Sequence, residues 1–77
     1  MIRKHSVTLH GHRTSFSLED DFWEELKAIA ARRKMALAAL LSEIDDGRGD
    51  GSNLSSALRV YVLRAVRQAD GDTDAAR

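Results

Sequence analysis

The chain has 77 residues, no cysteine, no proline and a formal net charge of zero. A domain this small builds a limited hydrophobic core, and the lack of cysteine excludes disulfides and thiolate metal clusters as further sources of stability, which leaves oligomerisation. No apolar run is long enough to span a bilayer and the first residues lack the apolar stretch of a signal peptide, so we expect a cytoplasmic protein.

Charge is unevenly distributed along the sequence. Residues 1–18 contain three basic residues and no acidic one, residues 19–25 contain five acidic residues, and residues 26–34 contain four basic residues. The neutral total therefore does not exclude a polyanion as a partner, because positive charge clusters at the N-terminal segment.

Polar and apolar residues alternate in "RTSFSL", and this alternation predicts one N-terminal β-strand over residues 13–18. Successive side chains of a strand point to opposite faces. One face is apolar and resembles a core, with Thr14, Phe16 and Leu18. The other is small and hydrogen-bonding, with Arg13, Ser15 and Ser17.

This strand needs a partner, because a lone strand leaves its backbone donors and acceptors unpaired. It can pair with the same strand of a second chain across a two-fold axis. Alternatively, "SVTLH" folds back on "RTSFS" as a hairpin with a type II′ turn at Gly11 and His12, which would place Val7 and Leu9 on the face of Phe16. Both arrangements are compatible with the sequence.

Three helices are predicted after the strand, at about residues 19–33, 36–45 and 53–69. The first has acidic residues at its start and basic residues at its end, which complements the helix dipole. Ser52 or Asn53 is placed to cap the third helix, whose apolar residues cover more than one face and therefore suit a subunit interface. We expect residues 1–69 to form a single domain and residues 70–77 to form a disordered acidic tail.

The segment "RTSFSLEDDFWEELKAIAARRKMALAALLSEID" resembles the ribbon-helix-helix DNA-binding proteins of the Arc and MetJ type. The resemblance covers about residues 5–67 and is closest to a compact bacterial branch with a "GHRTS" opening and a later "NLSSALRVYVL" helix. It implies a mainly α fold with one N-terminal β-strand. In that family two chains form a homodimer, and their strands pair into a two-stranded antiparallel ribbon that enters the major groove of DNA.

The resemblance implies that Arg13, Ser15 and Ser17 face the bases. A two-stranded ribbon fits the major groove, and Arg and Ser side chains reach base edges there. The hairpin alternative implies instead that Arg13→Ala leaves base preference intact, because a ribbon widened by residues 5–10 would be too broad for the groove. Without the resemblance, the same three side chains would form the solvent-exposed face of a half-buried strand.

The resemblance also implies a phosphate site where the first two helices meet, at Arg33, Lys34 and Ala36. The family usually has a glycine at this turn and a Ser or Thr cap on the next helix, whereas this chain has Lys34 and Ala36 at those places. Backbone amides at a helix start can still bind a phosphate. Without the resemblance, the basic cluster is a solvated helix end.

We expect the third helix to extend the core of the dimer. The residues predicted for this dimer core are Phe16, Leu18, Phe22, Leu26, Leu40, Ile44, Leu58, Tyr61 and Val62.

No metal site, cofactor or catalytic activity is predicted. His5, His10 and His12 have no carboxylate or cysteine near them in the sequence, and no glycine-rich phosphate loop or nucleophile motif is present. Trp23 is expected in the core or the interface.

The sequence therefore predicts a homodimeric, sequence-specific DNA-binding protein that regulates transcription and has double-stranded DNA and a second copy as partners. The alternative is a structural or protein-binding dimer of the same fold, resembling an antitoxin, that binds another protein and does not read DNA sequence.

Overall fold

A computed structural model describes residues 1–48 and 53–75 of the chain, with side chains up to residue 69. Two strands precede three helices along the chain. The elements are β1 (Ile2–Leu9), β2 (His12–Glu19), α1 (Asp20–Arg32), α2 (Leu37–Gly47) and α3 (Leu54–Ala75). The three helices are present as predicted, within a few residues at most ends. α3 continues to Ala75, six residues past its expected end, so the predicted disordered tail is helical at residues 70–75.

The expectation of a single N-terminal strand is wrong, because the chain forms a β-hairpin. β1 pairs antiparallel with β2, and His5 lies directly opposite Phe16. The two-residue loop is His10 and Gly11, whose φ angles are 53° and 80°. Positive φ at both loop positions is typical of a type I′ turn, which matches the twist of a hairpin. The turn therefore lies one residue earlier than the expected Gly11–His12 turn and is of another type.

The inward face of the hairpin packs on the helices. Leu9, Phe16 and Leu18 are buried there, and Val7 and His5 are half-buried. Side chains directly opposite each other share a face, so the register explains why Val7 and Leu9 lie on the face of Phe16, as the hairpin alternative predicted. Burial of this face fixes the register, because a slip of one residue would expose every one of these side chains.

α1 ends in a hydrogen-bonded turn centred on a lysine. Lys34 has a φ of 56°, its amide donates to the carbonyl of Ala31 over 3.1 Å, and the amide of Met35 donates to the carbonyl of Ala30 over 3.0 Å. These two bonds make a Schellman motif, in which the left-handed position is usually a glycine. Lys34 therefore adopts a backbone conformation that costs a residue with a Cβ about 1–2 kcal/mol.

The helices differ in how their N-termini are capped. The side-chain oxygen of Asn53 accepts a hydrogen bond from the amide of Ser56 over 2.8 Å, which confirms Asn53 as a cap of α3. Ser52, the other candidate, lies outside the described residues. Ala36, at the N-cap of α2, makes no side-chain hydrogen bond to the helix start, and its carbonyl oxygen accepts the amide of Leu40 in the first helical hydrogen bond.

The residues predicted for a dimer core lie in the core of the single chain. Seven of the nine are buried and the other two, Phe22 and Tyr61, pack against the core while half-buried. The apolar stripes read from the sequence thus pack together without a second chain. α3 nevertheless keeps an apolar outer stripe, since Val60, Leu63 and Val66 are 43%, 47% and 42% exposed.

Candidate nucleic-acid interface

The outward face of the hairpin is polar and carries both predicted and unpredicted residues. The three predicted base-facing residues are exposed. Each has an exposed polar residue of β1 directly opposite, because residues paired across an antiparallel ladder share a face. The opposed pairs are Thr8 with Arg13, Ser6 with Ser15, and Lys4 with Ser17. The three residues of β1 are not among the site residues predicted from the sequence.

The outer edge of β2 has open backbone groups. Hydrogen-bonded pairs alternate with non-bonded pairs along an antiparallel ladder. The amide of Asp20 donates to the carbonyl of Met1 over 3.0 Å, so the even-numbered residues of β2 direct their amides toward β1. The amides of the intervening residues Arg13, Ser15 and Ser17 therefore point away from β1. The amide of Ser17 accordingly donates to the hydroxyl oxygen of Ser55 in α3 over 3.2 Å. No partner for the Arg13 or Ser15 amide is found among the described residues.

The two acidic residues where β2 meets α1 are both paired with arginines. Arg59 of α3 donates from Nε to a carboxylate oxygen of Glu19 over 2.8 Å, and this hydrogen bond lowers the pKa of Glu19. Arg3 lies 3.0 Å from the carboxylate of Asp20. Lys4 and Arg13, by contrast, have no ion-pair partner within the described part of the chain. The two free cations of the hairpin thus lie on its outward face.

The predicted phosphate residues are in two different environments. Lys34 is exposed in the turn and Ala36 is the N-cap of α2, with no side-chain hydrogen bond to the helix start. Arg33 instead donates to both carboxylate oxygens of Glu43, over 2.6 and 2.9 Å, and to the hydroxyl of Tyr61 over 3.1 Å. These bonds raise the pKa of Arg33 and lower the pKa of Glu43. Lys34 is therefore more available to an anion than Arg33.

An aromatic cluster supports the inward face. The His5 ring stacks on Trp23 with centroids 3.9 Å apart and lies 5.4 Å from the ring of Phe16. Trp23 packs against the core, as expected. The Nε2 atom of His5 is buried without a hydrogen-bond partner among the described residues. The cluster explains how a histidine fills an inward position of β1.

The hairpin tip has carboxylates near a histidine, although the sequence places none beside it. Ligand atoms of His10, Asp45 and Asp46 lie within 4.8 Å of one another. His10 Nε2 is 2.7 Å from a carboxylate oxygen of Asp46, and Asp45 accepts a hydrogen bond from Arg48 Nε over 2.6 Å. These contacts are the ion pairs and caps common on an exposed surface.

Within the described segments, no helix combines the length and the apolarity needed to cross a membrane.

Comparison with known proteins agrees with this architecture. No match was found among curated proteins or among solved structures. The sequence model of the ribbon-helix-helix domain, in contrast, matches residues 2–66, which include the hairpin, α1, α2 and more than half of α3. Domains of this kind typically dimerise and bind DNA in regulatory roles. The match covers the hairpin and the helices that follow it, and the chain belongs to the ribbon-helix-helix family.

Proposed function

We propose that the chain is a homodimeric DNA-binding regulator of transcription that reads the major groove with the outward face of its hairpin. The observation that carries this proposal is the composition of that face. Arg13, Ser15 and Ser17 are exposed in a row, and the nearest acid, Glu19, is paired with Arg59. Such a face presents hydrogen-bond donors and one free guanidinium to a polyanion.

In this proposal two chains pair through the outer edge of β2. Open amides and carbonyls at a strand edge are a template for another strand. The amide of Ser17 is occupied by Ser55, whereas the Arg13 and Ser15 amides are open. If the two β2 strands pair antiparallel with Thr14 on the two-fold axis, Arg13 of one chain lies opposite Ser15 of the partner subunit. This pairing uses only the backbone amides of β2 that have no partner within the chain. The Ser17–Ser55 bond then persists in the dimer.

The first test measures DNA affinity as a function of salt with duplexes of mixed sequence. Neutralising phosphates releases condensed counterions, so binding through several contacts weakens steeply between 50 and 200 mM salt. We expect a linear fall of log K with log salt for the wild type. A wild-type protein that fails to bind DNA at 50 mM salt would contradict the proposal.

The second test separates the two edges of the hairpin. Ser15 and Ser6 are directly opposite each other, and both amides point away from the ladder, one to each outer edge. Proline lacks the amide hydrogen and is tolerated where that hydrogen faces away from the ladder. Ser15→Pro should therefore abolish the dimer in sedimentation experiments, while Ser6→Pro, the matched control, should leave it intact. Equal dissociation by both variants would contradict pairing through β2.

The exposed stripe of α3 favours a second candidate, an antitoxin-like protein whose partner is another protein. Val60, Leu63 and Val66 lie three residues apart, so they share one helix face that stays partly exposed in the described part of the chain. This candidate is supported if the wild type does not bind DNA and if its self-association is lost in Leu63→Lys but kept in Ser15→Pro. The opposite pattern supports the DNA-binding dimer.

A further inference from the structure

The hairpin gives the polar face a second row of residues that a single reading strand would lack. Lys4, Ser6 and Thr8 of β1 are exposed and alternate with the inward residues of that strand. No acidic residue occurs in residues 1–18. The row therefore offers one ammonium group and two hydroxyls, all of which can donate to phosphate oxygens.

The position of β1 in the proposed dimer decides what this row can reach. Pairing through β2 makes a four-stranded sheet with β1 on both outsides. Three strand spacings separate the outer strands by about 14 Å, whereas the major groove is about 12 Å wide. The sheet is too broad to enter as a whole, as expected for a ribbon widened by residues 5–10. The central strands can still face the bases while the outer strands lie over the groove walls.

We propose that β1 is a phosphate-binding strand, with Lys4 as its anchor, which fixes the register of β2 on the duplex without reading bases. This proposal rests on the proposed function, since it assumes that the outward face meets DNA. Lys4 is the cation available for this role. Its neighbour Arg3 is held 3.0 Å from Asp20, while Lys4 has no ion-pair partner among the described residues.

The salt dependence of DNA binding tests this role through Lys4→Gln. Each lost phosphate contact lowers the slope of log K against log salt by about 0.9, so losing one contact per chain lowers it by about 1.8 for a dimer. We expect this change with no change in base preference in a selection from random duplexes. Lys4→Arg keeps the charge and should retain the wild-type slope.

Lys27→Gln is the matched control, because Lys27 is an exposed lysine on α1 that lies 2.8 Å from the carboxylate of Glu24. It removes the same charge from the chain, yet its slope should stay at the wild-type value. Equal slope changes in the two variants would overturn the proposal, because net charge alone would then explain them. An unchanged slope for Lys4→Gln, or an altered base preference, would also overturn it. Failure of the wild type to bind DNA would instead reject the proposed function itself, and this inference with it.

Discussion

The two faces of the hairpin alternate along the same strands, yet one is closed by the helices and the other remains open. On the inward face, Phe16 and Leu18 are 5% and 0% exposed. On the outward face, Ser15 and Ser17 are exposed. Burial of apolar area stabilises the fold, whereas an exposed serine contributes little to stability. The difference teaches that neighbouring residues contribute unequally to stability, so single substitutions on the outward face can test the proposed binding role without unfolding the chain.

The largest expected effect comes from the inward face. Phe16→Ala removes a buried ring and leaves a cavity, and it should lower the free energy of unfolding by about 3–5 kcal/mol. Such a loss is comparable with the whole stability of a small domain, so the variant should be largely unfolded. The control is Ser15→Ala on the outward face, which should change stability by less than about 0.5 kcal/mol. Denaturant unfolding measures the free energy of unfolding of both variants. A similar loss of stability in both would contradict the difference between the two faces.

The start of α2 lacks a side-chain cap, unlike the start of α3, and this difference can be tested in the same way. Ala36 offers no side-chain oxygen to the first amides of the helix, so Ala36→Ser should add about 1 kcal/mol of stability. Ala38→Ser, inside the first turn, serves as the control and should give no gain, because its hydroxyl cannot cap. Thermal unfolding would distinguish them. A stabilised Ala38→Ser and an unchanged Ala36→Ser would place the cap elsewhere.

The left-handed position of Lys34 predicts a smaller gain. Lys34→Gly relieves the conformational cost of a Cβ at a φ of 56°, although glycine also gives the unfolded chain more freedom. We expect a net gain of about 0.5–1 kcal/mol. Lys34→Ala is the matched control, because it removes the charge but keeps the Cβ, and it should not stabilise. Both should lower the salt slope of DNA binding if Lys34 contacts a phosphate.

The smallest expected effect concerns the exposed pair of Arg33 and Glu43. The pKa of Glu43 is lowered from 4.5 by the hydrogen bond from Arg33. A lowered folded-state pKa means that the contribution is present above pH 4.5 and is lost as the pH falls through the lowered value. Glu43→Gln should therefore unfold more easily than the wild type at pH 7, with the difference vanishing once the pH falls below the lowered pKa of Glu43. A difference that persists at low pH would point to lost packing instead.

Much of the fold could be predicted from the sequence where a periodic pattern is strong. The alternation around Phe16 predicted β2 and its two faces, and the apolar stripes predicted the helices. The sequence does not decide between a hairpin containing β1 and a single strand, because the inward positions of β1 include Arg3 and His5, which obscure an apolar alternation. The structure resolves this ambiguity by stacking His5 on Trp23, a contact between residues 18 positions apart.

The candidate site was predictable only in part, for a related reason. The outward position of Arg13, Ser15 and Ser17 follows from the strand period alone. The pairing of Arg33 with Glu43 does not, because Arg33 directly follows α1 while Glu43 lies in α2, and the two meet through the packing of these helices. The row on β1 was missed because its position opposite Arg13, Ser15 and Ser17 depends on the hairpin register. Whether these residues contact DNA stays a prediction.

The most direct test of the central claim is a selection of binding sites from random duplexes with the wild type and Arg13→Ala. If Arg13 donates to a guanine edge, the wild type should recover a two-fold symmetric motif with a preferred guanine in each half. Arg13→Ala should lose that preference at one position per half-site and bind the wild-type site about 1–3 kcal/mol more weakly. Identical motifs from the two proteins would contradict base reading by the hairpin.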